Sequence, residues 1–435
     1  QGAQEFYFKG GKMMDDILGD RTDEESQSFS SFILPPSSFP RVPHAVPYWN
    51  GATYRAVAHC LVSGRVVGGL ELAKLRSQIV ENLGVADAVL CGSGSLALEL
   101  ALRACGIRDG DEVVIPTFCC SAVVPPILAV GATPVLADVG EDLNLTVETV
   151  DPVLTRKTRA IIVPHLFGNP ADIEGIVELA APRSICVIDD AAQALGASIN
   201  GRPVGSFGDA GIVSFGTEKV CFGLGGGALL SRHENFPLGS EIPLAPALSS
   251  VTLQRFFSTL FWWHWRGWTL PLHSIFCRGE AGPDTPPSSY RHERLANLNA
   301  AVAVSLVETL RANIAARRAR VNAYQELLGD ENGLTLIAHE PGSACLTQVA
   351  RVLPTRRGYD LASIVVEALA DQGCEIRGSY VPIHLLPNFG KCVWERLPYS
   401  ERVWPDLIEL PCEPGVSLDD VERIAAILRR VVAGR

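Results

Sequence analysis

Two side chains in this chain have the types and setting for covalent chemistry. Asp190 follows the apolar run Ile185 to Ile188 within V-I-D-D-A-A-Q-A-L-G-A, and Lys219 lies further on in S-F-G-T-E-K-V-C-F-G-L-G-G-G. An ionised aspartate at the carboxyl end of a buried strand has to be paired or hydrogen-bonded, and a cationic ring nitrogen is one partner that suits it. A lysine amine condenses with an aldehyde and, once released, carries a proton to and from a neighbouring carbon. Plainer readings exist for both. Asp189 and Asp190 are favoured helix N-caps, a role assigned here to Asp189, and a lone lysine is most often solvated. Against a solvated Lys219 stands its position between a strand and L-G-G-G, a backbone that tolerates close approach to a ligand.

An anion site is suggested by C-G-S-G-S-L-A-L-E-L-A-L. Gly92 and Gly94 allow a tight turn, and Ser95, with the first amides of the next helix (Gly94, Ser95, Leu96), points at whatever occupies its positive end. The same turn would serve ordinary capping. Ser214, five residues before Lys219, is a second donor, or else a turn serine facing solvent.

Acid, lysine and anion site together match pyridoxal phosphate, which needs an amine for its aldehyde and a carboxylate facing its pyridinium. D-D-A-A-Q-A-L-G-A, S-F-G-T-E-K and the Gly run resemble the DegT/DnrJ/EryC1/StrS family of sugar aminotransferases. So do S-G-S at 93–95, G-D-E-V-V-I-P-T-F-C-C-S-A-V-V, G-A-T-P-V-L-A-D-V, V-P-H-L-F-G-N-P-A-D-I, Y-V-P-I-H and L-P-C-E-P-G-V-S, which extend the likeness from about Ser63 to Val432.

The resemblance implies that Lys219 is catalytic. It implies a cofactor site of Gly94, Ser95, Leu96, Cys120, Asp190, Gln193, Ser214, Lys219 and Arg294, with no metal. Gln193 would reach the ring face or its phenolic oxygen, and Arg294, in R-L-A-N-L-N-A-A, would approach the phosphate across a subunit boundary. Cys120 stands where many relatives stack an aromatic ring, leaving Phe118 to compensate, and Gly216 replaces a frequent histidine, opening space beside the lysine. Arg377 and Tyr380 are substrate-side candidates, while His165 and His384 read as structural.

The surrounding chain suits a large enzyme. At 435 residues and 47% hydrophobic it can bury a sizeable core, and a net charge of -11 with no basic run argues against a nucleic-acid partner. Twelve cysteines without a C-x-x-C pair suggest neither a zinc site nor a disulfide framework, and a cytoplasmic location is expected. Met13 and Met14 are the only methionines, and residues before them are left out of the fold reading.

Residues 1–45 read as a poorly ordered lead-in, acidic and then Ser/Pro-rich from residue 15. Residues 46–285 read as a large α/β cofactor domain and 286–435 as a smaller α+β domain. The pattern is doubly wound, with strands expected at Ala88–Leu90, Glu112–Ile115, Thr133–Leu136, Ala160–Val163, Ile185–Ile188, Gly211–Ser214 and Thr347–Leu353. Helices are expected at Leu96–Ala104, Ile173–Ala180 and Leu418–Val432, and a long amphipathic one through Leu295, Leu298, Leu306, Leu310 and Ile314. The family implies a fold-type-I (aspartate aminotransferase-like) enzyme with a mainly parallel sheet.

An insertion at about 250–285 holds four of the seven tryptophans around Trp262 to Trp268, and Arg255, His264 and Arg266 break it too often for a bilayer span. It reads as a buried cover or as a peripheral membrane contact. The expected activity is transfer of an amino group from an amino acid, glutamate first, to a nucleotide-linked keto sugar or related cyclic ketone by a homodimer. A sugar dehydratase or isomerase without net amine transfer, and a non-catalytic regulatory protein, are the alternatives. The retained Lys219 speaks against the dehydratase branch, which carries histidine there.

Overall fold

The computed structural model describes residues 42–233, 243–260, 290–329, 331, 333–353 and 361–433. The Trp262 to Trp268 segment lies outside them. Val42 and Ala45, placed by sequence in the lead-in, are buried, and Val42 bridges Cys374.

After helices α1 (Gly51–Val62) and α2 (Glu71–Leu83) come strands β1 (Asp87–Cys91), β2 (Glu112–Pro116), β3 (Thr133–Ala137), β4 (Thr158–Pro164) and β5 (Cys186–Asp190). A two-residue hairpin, β6 (Ser198–Ile199) with β7 (Arg202–Pro203), leads to β8 (Ala210–Ser214) and β9 (Gly227–Ser231). All but the hairpin form one seven-stranded sheet in the order β1-β9-β8-β5-β4-β2-β3. The β3-β2-β4-β5-β8 part is parallel, and β9 runs antiparallel between β8 and β1. Short apolar runs buried on both faces explain the parallel part, because crossover helices cover both sides. Strand β9 was not among the expected strands: G-A-L-L-S is a continuous apolar run behind glycines, with no alternation to mark it.

Helix α3 (Gly94–Ala104) follows β1, and α4 (Ile173–Ala180) follows β4. The long helix expected through Leu295 to Ile314 is two, α5 (Asn297–Glu308) and α6 (Leu310–Leu328), separated at Thr309. Thr309 Oγ1 donates to Ser305 O at 3.1 Å, a back-bond that bends helices. Helix α5 is not amphipathic: Asn297 through Val307 are all buried, in a core shared with α1 and α2.

A second sheet holds β10 (Leu334–Leu336), β11 (Thr347–Val352), β12 (Arg377–Gly378) and β13 (Leu407–Pro411), with order β10-β11-β13-β12 and antiparallel pairing. Helices α7 (Leu361–Asp371) and α8 (Leu418–Ala433) pack on it around a core of their own. Cys105 at the end of α3 and Cys186 at the start of β5 are joined by a disulfide, a single bond rather than a framework. Among the described residues no helix is long and apolar enough to cross a membrane.

Candidate active site

Strand register builds the anion cradle. Gly227 of β9 pairs with Ser214 on one side and Cys91 on the other, which brings the turn after β1 against the end of β8. A Cβ on Gly94 would meet Ser214 Cβ at 3.0 Å and Oγ at 3.1 Å, and one on Gly227 would meet Gly94 N at 2.8 Å. The two donor sets read from sequence are thus one site. Ser93 caps α3, its Oγ accepting the Leu96 N–H at 3.1 Å. That occupies the Leu96 amide and leaves those of Gly94 and Ser95, which have no intrahelical acceptor, facing outward at the helix start. Ser95 Oγ is 3.4 Å from Ala122 O, and Gly216 N donates to Ser214 Oγ at 3.3 Å.

Arg294 borders this cradle in the same chain. Its backbone bridges Cys91, the Gly92 N–H donates to Glu293 O at 2.8 Å, and the Arg294 side chain is exposed.

Asp190 ends β5 and is buried, with Oδ1 accepting the Ala192 N–H at 2.9 Å. Burial pushes its carboxyl above the usual range, opposed by the Ala192 N–H and by the nearby Lys219 charge. No described residue donates a hydrogen bond to Oδ2. A buried carboxylate with one free oxygen and an unfavourable charge is what a pyridinium N–H would relieve. Asp189 is no helix cap: its Oδ1 meets His165 Nε2 at 2.7 Å and its Oδ2 accepts the Phe207 N–H at 2.8 Å. His165 Nδ1 accepts the Ala171 N–H at 2.8 Å, so Nε2 carries the proton and donates to Asp189. His384 is likewise structural, between Thr117 Oγ1 at 2.8 Å and Glu401 Oε1 at 3.1 Å, and burial lowers its pKa to about 4.

Gln193 is fixed at both ends. Its Oε1 accepts the Phe167 N–H at 3.0 Å and its Nε2 donates to the Tyr380 hydroxyl at 3.1 Å. Burial holds the Tyr380 phenol well above its ordinary value, with Cys120 among the groups beside it. Cys120 is half-buried at the start of a short 3-10 turn. Phe118 is fully buried in an aromatic cluster, with ring centres 6.0 Å from Tyr380 and 6.3 Å from Phe167. At Gly216 a Cβ would find Ser214 Oγ at 3.4 Å and Lys219 Cγ at 3.9 Å, so the space beside the lysine is open.

Next to Lys219 a cavity of about 190 Å³ lies between the two sheets, lined among others by His44, Gln193, Glu218, Arg377, Tyr380 and Glu409. Burial raises the Glu409 carboxyl to about 7, opposed by the Ser379 hydroxyl and Arg377, and lowers His44 to about 3. Sequence reasoning did not find His44, Glu218 or Glu409. The only signal was an acid between apolar residues in L-I-E-L-P, which solvent exposure explains equally well. A wider groove of about 530 Å³, bordered by Arg156, Arg159 and Arg183, opens at the opposite strand ends, away from the chemistry.

These residues fit pyridoxal phosphate, with Asp190 for the ring nitrogen, Gly94, Ser95 and Ser214 for the phosphate, and Lys219 for the aldehyde. When bound, the cofactor supplies a carbonyl for amine exchange and a cationic ring that withdraws electrons from the substrate carbon. The fold and site define a fold-type-I, pyridoxal-phosphate-dependent aminotransferase.

Residues 49–429 match the DegT/DnrJ/EryC1/StrS aminotransferase family, and the chain belongs to it. A GDP-perosamine synthase of Caulobacter vibrioides is 26% identical over 403 residues, covering 91% of this chain and all of its own. Among solved structures, S. venezuelae DesV in complex with a ketimine intermediate is 26% identical, with a TM-score of 0.70 over 90% of this chain and 99% of its own. The E. coli GDP-4-keto-6-deoxy-D-mannose-3-dehydratase with bound hydrated PLP is 19% identical, with a TM-score of 0.72 over 90% and 100%, a likeness of fold alone.

Proposed function

We propose that this enzyme moves an amino group from an amino acid, L-glutamate first among donors, to a keto group of a nucleotide-linked sugar or related cyclic ketone in polysaccharide or secondary-metabolite biosynthesis. One observation carries the reading: the buried Asp190 and the half-buried Lys219 lie within electrostatic reach of each other at the carboxyl ends of the parallel strands. In open α/β sheets that edge is where ligands bind. The GDP-perosamine synthase relative supports a nucleotide-linked acceptor.

In this reading Asp190 keeps the ring nitrogen protonated, and the Gly94 and Ser95 amides with Ser214 Oγ hold the phosphate. Gln193, held by the Phe167 N–H and the Tyr380 hydroxyl, would orient the ring, and the Lys219 amine would take a proton from the amine-bearing carbon of the donor and deliver it to the carbon that was the cofactor's aldehyde, across the nitrogen between them. In the same reading the working form is a cytoplasmic homodimer.

Holoenzyme incubated with L-glutamate alone should release one 2-oxoglutarate per site. The resulting amine form, offered a panel of nucleotide-linked keto sugars, should aminate a subset of them. Failure of any amino acid to yield its 2-oxo acid would overturn amine transfer and leave the dehydratase or isomerase reading.

A further inference from the structure

We infer that the ion pair between Glu218 and Arg377 is a latch that positions Lys219, so that both are positioning residues for the reaction. Glu218 directly precedes Lys219 and adopts φ 59°, the left-handed region that non-glycine residues occupy at a cost. Its carboxylate Oε1 meets Arg377 Nη1 at 2.9 Å across the cavity between the sheets. Arg377 stands on β12 and is itself drawn toward Glu375 at 3.8 Å and faces Glu409.

The chain after Lys219 is well tied down. Asn313 Nδ2 donates to Val220 O, Trp49 Nε1 to Phe222 O, and Asn299 Nδ2 to Leu224 O, at 3.2, 2.9 and 2.9 Å. The segment Gly216–Lys219 has far less. Among the described residues its anchors are the Gly216 N–H on Ser214 Oγ and the Glu218 carboxylate on Arg377. A strained peptide persists only where its surroundings hold it, and here Arg377 supplies that hold. The second sheet thereby sets where the lysine side chain starts.

The inference rests on Lys219 being the lysine that binds the cofactor, and the experiment separates the two. Cofactor-free protein is mixed with pyridoxal phosphate, and growth of the visible band of lysine-bound cofactor is followed, with the band's pH titration recorded afterwards. Glu218→Ala loses the carboxylate and keeps the strain, so uptake should slow about tenfold, the size of one left-handed residue's cost. Glu218→Gly loses the same charge but adopts φ 59° freely, and should recover most of the rate.

Arg377→Gln should behave like Glu218→Ala, and Arg377→Lys should restore part of the loss. The band's titration midpoint should rise on losing Arg377 and fall on losing Glu218, because opposite charges are removed. Should Arg377→Gln fold poorly, the Glu218→Gly/Arg377→Gln double variant removes both charges and the strain together, and should take up cofactor at a near wild-type rate. Equal slowing in Glu218→Ala and Glu218→Gly would reduce the effect to charge and overturn the latch, as would wild-type uptake in Glu218→Ala. Lys219→Ala is the control: if it still forms the band, the assignment of the lysine fails instead.

Discussion

Asp189 and Asp190 are neighbours on β5 but serve opposite faces of the large sheet. Asp189 is bound to His165 Nε2 and the Phe207 N–H on one side, while Asp190 faces Lys219 on the other. Alternation along a strand produces this division. Asp189→Asn would set an amide N–H2 against one of two donors and should destabilise the fold by about 3 kcal/mol, measured by urea unfolding of the cofactor-free protein. Asp190→Asn should unfold within about 1 kcal/mol of wild type and lose half-transamination by a hundredfold or more, roughly the cost of an unpaired buried charge. Unchanged kinetics in Asp190→Asn would assign the ring nitrogen to another acid.

Lys219→Ala should abolish both the visible band and turnover while leaving the fold intact, since the side chain is half-buried and belongs to none of the hydrophobic cores. Stopped-flow spectra with added cofactor and a unfolding curve on the same sample measure the two effects. Turnover near the wild-type rate would remove Lys219 from the chemistry.

Glu409 should make stability fall between about pH 4.5 and 7. Its carboxyl, raised by burial to about 7 from 4.5, favours the folded state while protonated. That contribution is complete below the unfolded value and is lost as pH rises through the folded one, a difference on the order of 3 kcal/mol. Ser379 donates to it at 2.8 Å, and Arg377, Glu218, Lys219 and His44 face it. Glu409→Gln stays neutral, so its unfolding free energy minus that of wild type should grow across this window. A pH-independent difference would mean that Glu409 is ionised throughout.

Much of the large sheet was legible because buried parallel strands read as short apolar runs and the Gly/Ser turns mark their ends. Ile173–Ala180 appeared as expected, and β5 lay one residue further on than Ile185. What failed was contextual. Strand β9 looked like the tail of a glycine turn, and α5 looked amphipathic until α1 and α2 were seen to cover its other face. At the site, Asp190 and Lys219 carried motifs, and their setting follows from strand ends. Glu218 and Arg377 lie 159 positions apart by number and meet only because the two sheets face each other across the cavity, which no local pattern encodes.

Gly227 offers the sharpest test of the cradle. It pairs with Cys91 and Ser214 at once, and its missing side chain is what lets the turn before α3 come close: a Cβ would stand 2.8 Å from both Gly94 N and Val213 O. Those atoms are backbone and cannot rotate away, so Gly227→Ala must push the turn from Ser214 or part β9 from β8. Either shift moves the Gly94 and Ser95 amides by a fraction of an ångström relative to the Ser214 hydroxyl, and phosphate binding is sensitive to such placement. Affinity of the cofactor-free protein for pyridoxal phosphate should fall by roughly ten- to a hundredfold, about 1.4 to 2.7 kcal/mol. Binding of pyridoxal, which lacks the phosphate, should change little. Titration by tryptophan fluorescence of wild type and Gly227→Ala with both ligands separates a damaged cradle from a damaged fold: equal losses for the two ligands would place the phosphate elsewhere.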